Sequence, residues 1–74
     1  METRLSEIAV GKTVTISHFD KSEIFLKLME MGCIPGEVVF VNKKAPLGDP
    51  ISIVVAGYNL SLRLNEADKI WVKE

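Results

Sequence analysis

Residues 26–39 read LKLMEMGCIPGEVV, and the turn in the middle of this stretch decides the fold. Upstream of it, Ile24, Leu28 and Met31 fall at i, i+4 and i+7. Phe25 and Met29 widen that apolar stripe while Glu23, Lys27 and Glu30 occupy other faces, which predicts an amphipathic helix. Gly32 supplies the left-handed backbone that ends a helix without steric cost, and Pro35 stands just beyond, where the helix cannot resume. Downstream, residues 37–42 are β-branched and aromatic, which predicts a strand.

Working outward, Asp20 followed by Glu23 has the spacing of a capping box and predicts that the helix opens there. Ahead of it, Val14 and Ile16 alternate with Thr13, Thr15 and Ser17, the period of a half-buried strand over 14–19. Leu5, Ile8 and Val10 form an apolar lead-in before a turn at Gly11 and Lys12. On the other side, APLGDP at 45–50 is dense in turn formers, so 37–42 and 51–56 read as a hairpin with a longish loop. Leu60, Leu62 and Leu64 then interleave with Asn59, Ser61, Arg63 and Asn65, which points three leucines inward and Arg63 outward. After a polar break at 66–68, Ile70 and Val72 share one face and Trp71 and Lys73 the other. The expectation is a mostly β fold of about five strands with one short helix after the first strand. Closure into a small SH3-like barrel removes free edges, and the helix stripe covers one opening. No repeat, linker or low-complexity run divides the chain, so 1–74 reads as one domain.

Composition narrows the function. Nine basic against ten acidic side chains give a net charge of −1, which supplies no pull toward nucleic acid or anionic lipid. The lone Cys33 can form no internal disulfide and no cysteine pair suggests a metal finger, which fits a reducing cytoplasm. No apolar run approaches a membrane span, and the start lacks the apolar core of a signal peptide. With one His, one Cys and scattered carboxylates, no nucleophile, base and orienting group stand out, so no catalytic residue is assigned. The loops at Gly36 and Gly48 carry neither phosphate-cradling glycine motif, and no cofactor is expected.

Imidazole and thiolate are the natural transition-metal donors, yet His18 reads as a strand-end polar residue and Cys33 as a small packed hydrophobe. No metal ligand is assigned. Phe25 and Met29 lie toward the edge of the helix stripe, where an aromatic and a flexible thioether make an adaptable docking surface; Met31 reads as core. Trp71 faces away from Ile70 and Val72, and a rigid surface indole is a common interface anchor. Lys43 and Lys44 stand beside a turn and read as loop solubility. Phe19, Phe25, Phe40, Tyr58 and Trp71 are too scattered for a single-strand binding groove. Phe25, Met29, Arg63 and Trp71 are therefore the candidate partner-binding residues.

The run at 26–39 resembles a signature of FeoA domains, in which a leucine- and methionine-rich helix end leads into Gly, an apolar residue, Pro and Gly. The run GDPISIVVAGYNLSLRLNEADKIWV at 48–72 is similar to the family's second signature, and the apolar spacing at 5–11 also matches. The resemblance implies an SH3-like barrel that serves bacterial ferrous iron uptake, as a non-enzymatic cytosolic accessory. Its implied partner is FeoB, the membrane transporter with a cytosolic GTP-binding domain, so the membrane is reached only through that transporter. The matching positions Gly32, Pro35, Gly36, Gly57, Leu60, Leu62 and Arg63 are turn formers, core and one cation. They contain no ligand set, although the family is described as metal-associated. Cys33 stands where an aliphatic residue is usual and Asn65 where a basic one is common, which weakens a charged contact. Two alternatives stay open: a regulatory domain related to those of iron-dependent transcriptional repressors, and a weak transition-metal-binding protein. A chain starting at Met1 without a DNA-binding domain favours the transport accessory. Pairing of barrel edges between copies leaves weak self-association open.

Overall fold

The computed structural model describes residues 2–20 and 23–74. In chain order these form β1 (Glu2–Arg4), a 3-10 turn (Leu5–Glu7), β2 (Thr13–Phe19), α1 (Phe25–Glu30), β3 (Val38–Lys44), β4 (Ile51–Val55), β5 (Tyr58–Leu62), α2 (Leu64–Ala67) and β6 (Ile70–Lys73). All pairing is antiparallel in one six-stranded sheet of order β1-β6-β2-β3-β4-β5. This is the SH3-like, mostly β architecture. Among the described residues the ladder stays open between β5 and β1.

Alternation explains the core. Val14 and Ile16 of β2, Val39 and Val41 of β3, Ile51, Ile53 and Val55 of β4, and Ile70 and Val72 of β6 all point inward and join one cluster. Leu28, with no exposed surface, carries α1 into that cluster. The helix exit folds as the Gly signal requires. The Gly32 N–H donates to the Met29 carbonyl at 3.1 Å and the Cys33 N–H to the Leu28 carbonyl at 3.0 Å, with Gly32 at φ +99°. These two bonds are a Schellman motif, and its usual apolar contact is made by Cys33 and Leu28, both buried in the core.

Four expectations are corrected. The lead-in supplies a sixth strand: β1 pairs with β6 from Glu2↔Lys73 to Arg4↔Trp71, a partnership no local pattern announces. Leu5 and Ile8 are buried, but Val10 is 51 % exposed. The α1 helix starts at Phe25, with Ile24 as its N-cap and no side-chain cap bond, because Asp20 spends its carboxylate elsewhere. The rest of the opening, Lys21 and Ser22, lies outside the described residues. Leu64 is not a third inward leucine. The chain turns into α2 after β5, since Glu66 accepts from the Arg63 N–H at 2.8 Å and Asp49 from the Leu64 N–H at 3.0 Å. Two carboxylates thereby satisfy the first free donors of that helical turn, and the polar break becomes helix.

The β4–β5 turn stores backbone strain. Ala56 at φ 52° and Gly57 at φ 83° both occupy the left-handed region that a two-residue hairpin of this hand demands. A Cβ there costs about 1 kcal/mol. Ala56→Gly is expected to raise stability by roughly 0.5–1 kcal/mol, read as a shift of the urea midpoint at constant slope; an unchanged midpoint would show that the strain is relieved elsewhere.

Candidate functional site

At the open side of the sheet, α1 and α2 come together across the end of β5. Lys27, Asp49, Pro50, Ser61, Arg63 and Glu66 line a hollow of about 490 Å³. Glu66 is its pivot. Only 8 % exposed, it accepts the Arg63 N–H through one oxygen and holds Lys27 Nζ 3.4 Å from the other. Lys27 is thus neutralised, whereas the exposed Arg63 guanidinium makes no ion pair or hydrogen bond with the described residues. Its planar fork suits a carboxylate or another planar anion. On α1, Phe25 is 37 % exposed and meets Phe19 edge-on at 5.2 Å between centroids, while Met29 is half-buried. Leu26, at 68 % the most exposed apolar side chain of the helix, adds to this surface.

Trp71 sits in a second constellation, on the outer wall where β6 runs between β1 and β2. Register places Arg4 and His18 opposite it on either side. The Arg4 guanidinium lies 4.5 Å from the indole centroid, the His18 ring stacks at 5.9 Å, and Trp71 Nε1 donates to Asp20 at 2.7 Å. Arg4 also pairs with Asp20 at 3.1 Å. A bulge between Ile16 and His18 turns Ser17 toward the same wall, where it donates to Glu2; His18 Nδ1 is 3.4 Å from that carboxylate. The Trp71 hydrogen bond first, and Arg4 second, hold the Asp20 carboxyl below its usual range, and the Ser17 hydroxyl does the same for Glu2.

Both shifts are downward, so the folded state binds protons less readily than the unfolded one. The stability these groups add is complete above their ordinary values of 3.8 and 4.5 and is lost as pH falls through the lower folded values. Thermal melts from pH 6 downward are expected to show a steep drop below about pH 4 that Asp20→Asn flattens. Parallel profiles for the two proteins would remove Asp20 from that role.

Cys33 has no exposed surface, and burial first, then the Glu66 charge, pushes its thiol up to about 11. It is a protonated core residue rather than a nucleophile or a ready ligand. Among the described residues no group of three or more His, Cys, Asp or Glu side chains is arranged to share a metal ion. Nor is any helix there long and apolar enough to cross a membrane.

Of the four candidate residues, α1 carries Phe25 and Met29 and reaches the Arg63 hollow through Lys27, whereas Trp71 belongs to the separate wall. Sequence reasoning missed Lys27, Glu66, Arg4 and Asp20 as members of these sites. For Glu66 a signal existed, a carboxylate three residues past the helix opening. For Asp20 none did, because its partners are 16 and 51 residues away.

Residues 3–74 match the FeoA domain family. A curated relative from Porphyromonas gingivalis (strain ATCC BAA-308 / W83), an Fe(2+) transport protein A/Fe(2+) transporter FeoB fusion protein, is 38 % identical over 71 residues. That match takes in 95 % of this chain but only 8 % of the relative's length. The FeoA-like protein from Clostridium acetobutylicum superposes with a TM-score of 0.91 at 36 % identity, over 97 % of this chain and 85 % of that one. Stenotrophomonas maltophilia FeoA complexed with zinc, described as a prokaryotic SH3 domain protein, gives 0.81 at 27 % identity, over 93 % and 87 %. A manganese-dependent transcriptional repressor shares the fold alone: 0.88 at 18 % identity, over 96 % of this chain and 40 % of that one. With nearly every residue matched and both signatures placed on the elements that shape the sheet and its hollow, the chain belongs to the FeoA domain family.

Proposed function

We propose that this chain, as one domain over 1–74, is a non-enzymatic cytosolic accessory of ferrous iron uptake that binds the GTP-binding domain of the FeoB transporter. The observation that carries this reading is the relative in which an Fe(2+) transport protein A is fused to its transporter. Fusion turns an encounter between two proteins into an intramolecular contact and keeps the two parts within reach of each other. The Arg63 guanidinium, without an ion pair among the described residues, and the exposed Phe25 and Leu26 combine a charge with apolar area, as interface anchors do. The chemistry found supports a binding module, since the single thiol is buried and protonated.

The test is a pull-down of the chain against the soluble GTP-binding domain, with and without nucleotide, followed by calorimetry. A saturable complex is expected, weakened about tenfold by Arg63→Glu in a protein that melts like the wild type. Absence of binding to that domain and to the intact transporter would falsify the reading.

A further inference from the structure

The two edges of the sheet differ in kind. β1 has three residues, and its Glu2 and Arg4 are engaged in ion pairs, so that edge is short and charged. β5 (YNLSL) carries no charge, no proline and no bulge, and among the described residues no strand lies beyond it. Proteins normally blunt a free edge of this kind. Its backbone polarity follows from the hairpin. Val55 and Tyr58 close a two-residue turn and exchange both bonds, and alternation gives the next pairs to Leu60 and Leu62. The N–H and C=O groups of Asn59 and Ser61 therefore point away from β4, along the free edge.

A trough made of two separate hollows lies beside that strand. One hollow of about 410 Å³ lies against Tyr58, Asn59 and Leu60, with Met31 and Gly32 of the α1 exit opposite. The Arg63 hollow lies by the end of the same strand, lined by Ser61, Arg63 and Lys27 together with Asp49, Pro50 and Glu66. Residues of α1 thus border both hollows. The ends differ in charge: Glu30 borders the apolar end, and Arg63, without an ion pair among the described residues, stands at the other beside Asp49 and the Lys27–Glu66 pair. An edge strand facing a helix across a groove is the geometry of peptide binding by strand addition.

We propose that this trough takes an extended segment of the transporter partner as a seventh strand, with an apolar side chain at the Met31–Tyr58 end and a carboxylate at Arg63. The proposal rests on the reading of the chain as a transporter-binding module and names the mode of contact. Asn59 and Ser61 supply the main-chain bonds, the apolar end supplies the pocket, and the Glu30-to-Arg63 polarity sets the direction.

The decisive experiment titrates the 15N-labelled full chain with the unlabelled GTP-binding domain and follows amide exchange. Slowed exchange at the Asn59 and Ser61 amides is expected, together with at least tenfold weaker binding for both Arg63→Glu and Ser61→Pro. The proline removes a donor that faces the free edge, a position where edge strands accept it. Should Ser61→Pro fail to melt cooperatively, the exchange pattern and Arg63→Glu decide between them. A wild-type complex without slowing at Asn59 and Ser61, or indifferent to the variants, overturns this mode and leaves the parent reading standing. No wild-type complex removes both. Slowing of the same amides in the chain alone, growing with its concentration, gives the edge to a second copy and overturns the partner assignment.

Discussion

Leu28→Ala is expected to lower the stability of the folded chain by about 2–5 kcal/mol, the range for truncating a fully buried leucine. Leu28 is the one fully buried side chain of α1, and its carbonyl receives the Cys33 N–H that closes the helix exit. Its removal opens a cavity and loosens the element that walls the Arg63 hollow. A core of this size rarely supplies more than about 3–5 kcal/mol in total, so a large fraction of the variant is unfolded in water. Urea denaturation measures this directly, with Leu28→Met as the volume-conserving control expected to lose less than about 1.5 kcal/mol. An alanine variant with the wild-type midpoint would show that α1 contributes nothing to the core.

Trp71→Ala carries the next largest effect, a loss of roughly 2 kcal/mol from about half of the 150–250 Å² that a buried indole covers. The indole packs between the strand positions of Arg4 and His18 and donates to Asp20, so its loss also leaves Arg4 and Asp20 without their shared scaffold. Diminished transporter binding by this variant would therefore mix a surface effect with an unfolding effect. Trp71→Phe separates them: it keeps a ring against Arg4 and removes the N–H, so it tests the Asp20 bond with little change of packing. A Trp71→Ala protein as stable as the wild type would return Trp71 to the role of a free surface anchor.

Much of the fold is legible because its signals are local. The stripe of Leu28 and Met31 and the stop at Gly32 and Pro35 each depend on residues within a turn or two. So do the alternation in β2, β4 and β6 and the loop at 45–50. Period and turn chemistry are properties of neighbouring residues, and they place α1 and five of the six strands within a few residues. The candidate site was legible only in part. Arg63 was found because it alternates with leucines and so points outward, and among the described residues it has no ion-pair partner, Glu66 being held by Lys27.

Backbone sterics and the side-chain period are enough to give the mostly β class, the helix exit and most of the inward apolar residues, Val10 and Leu64 excepted. Which strands lie side by side and where the charged groups go depends on the assembled sheet. Asp20 had a local use as a helix cap and a distant one with Trp71 and Arg4, and the distant one won because β6 brings an indole N–H and β1 a guanidinium to the same point. β1 itself exists through its pairing with β6 at the far end of the chain. A strand partner is chosen among all edges at once by the closure of one core, so the open edge at β5 becomes visible only when the whole sheet has been assembled.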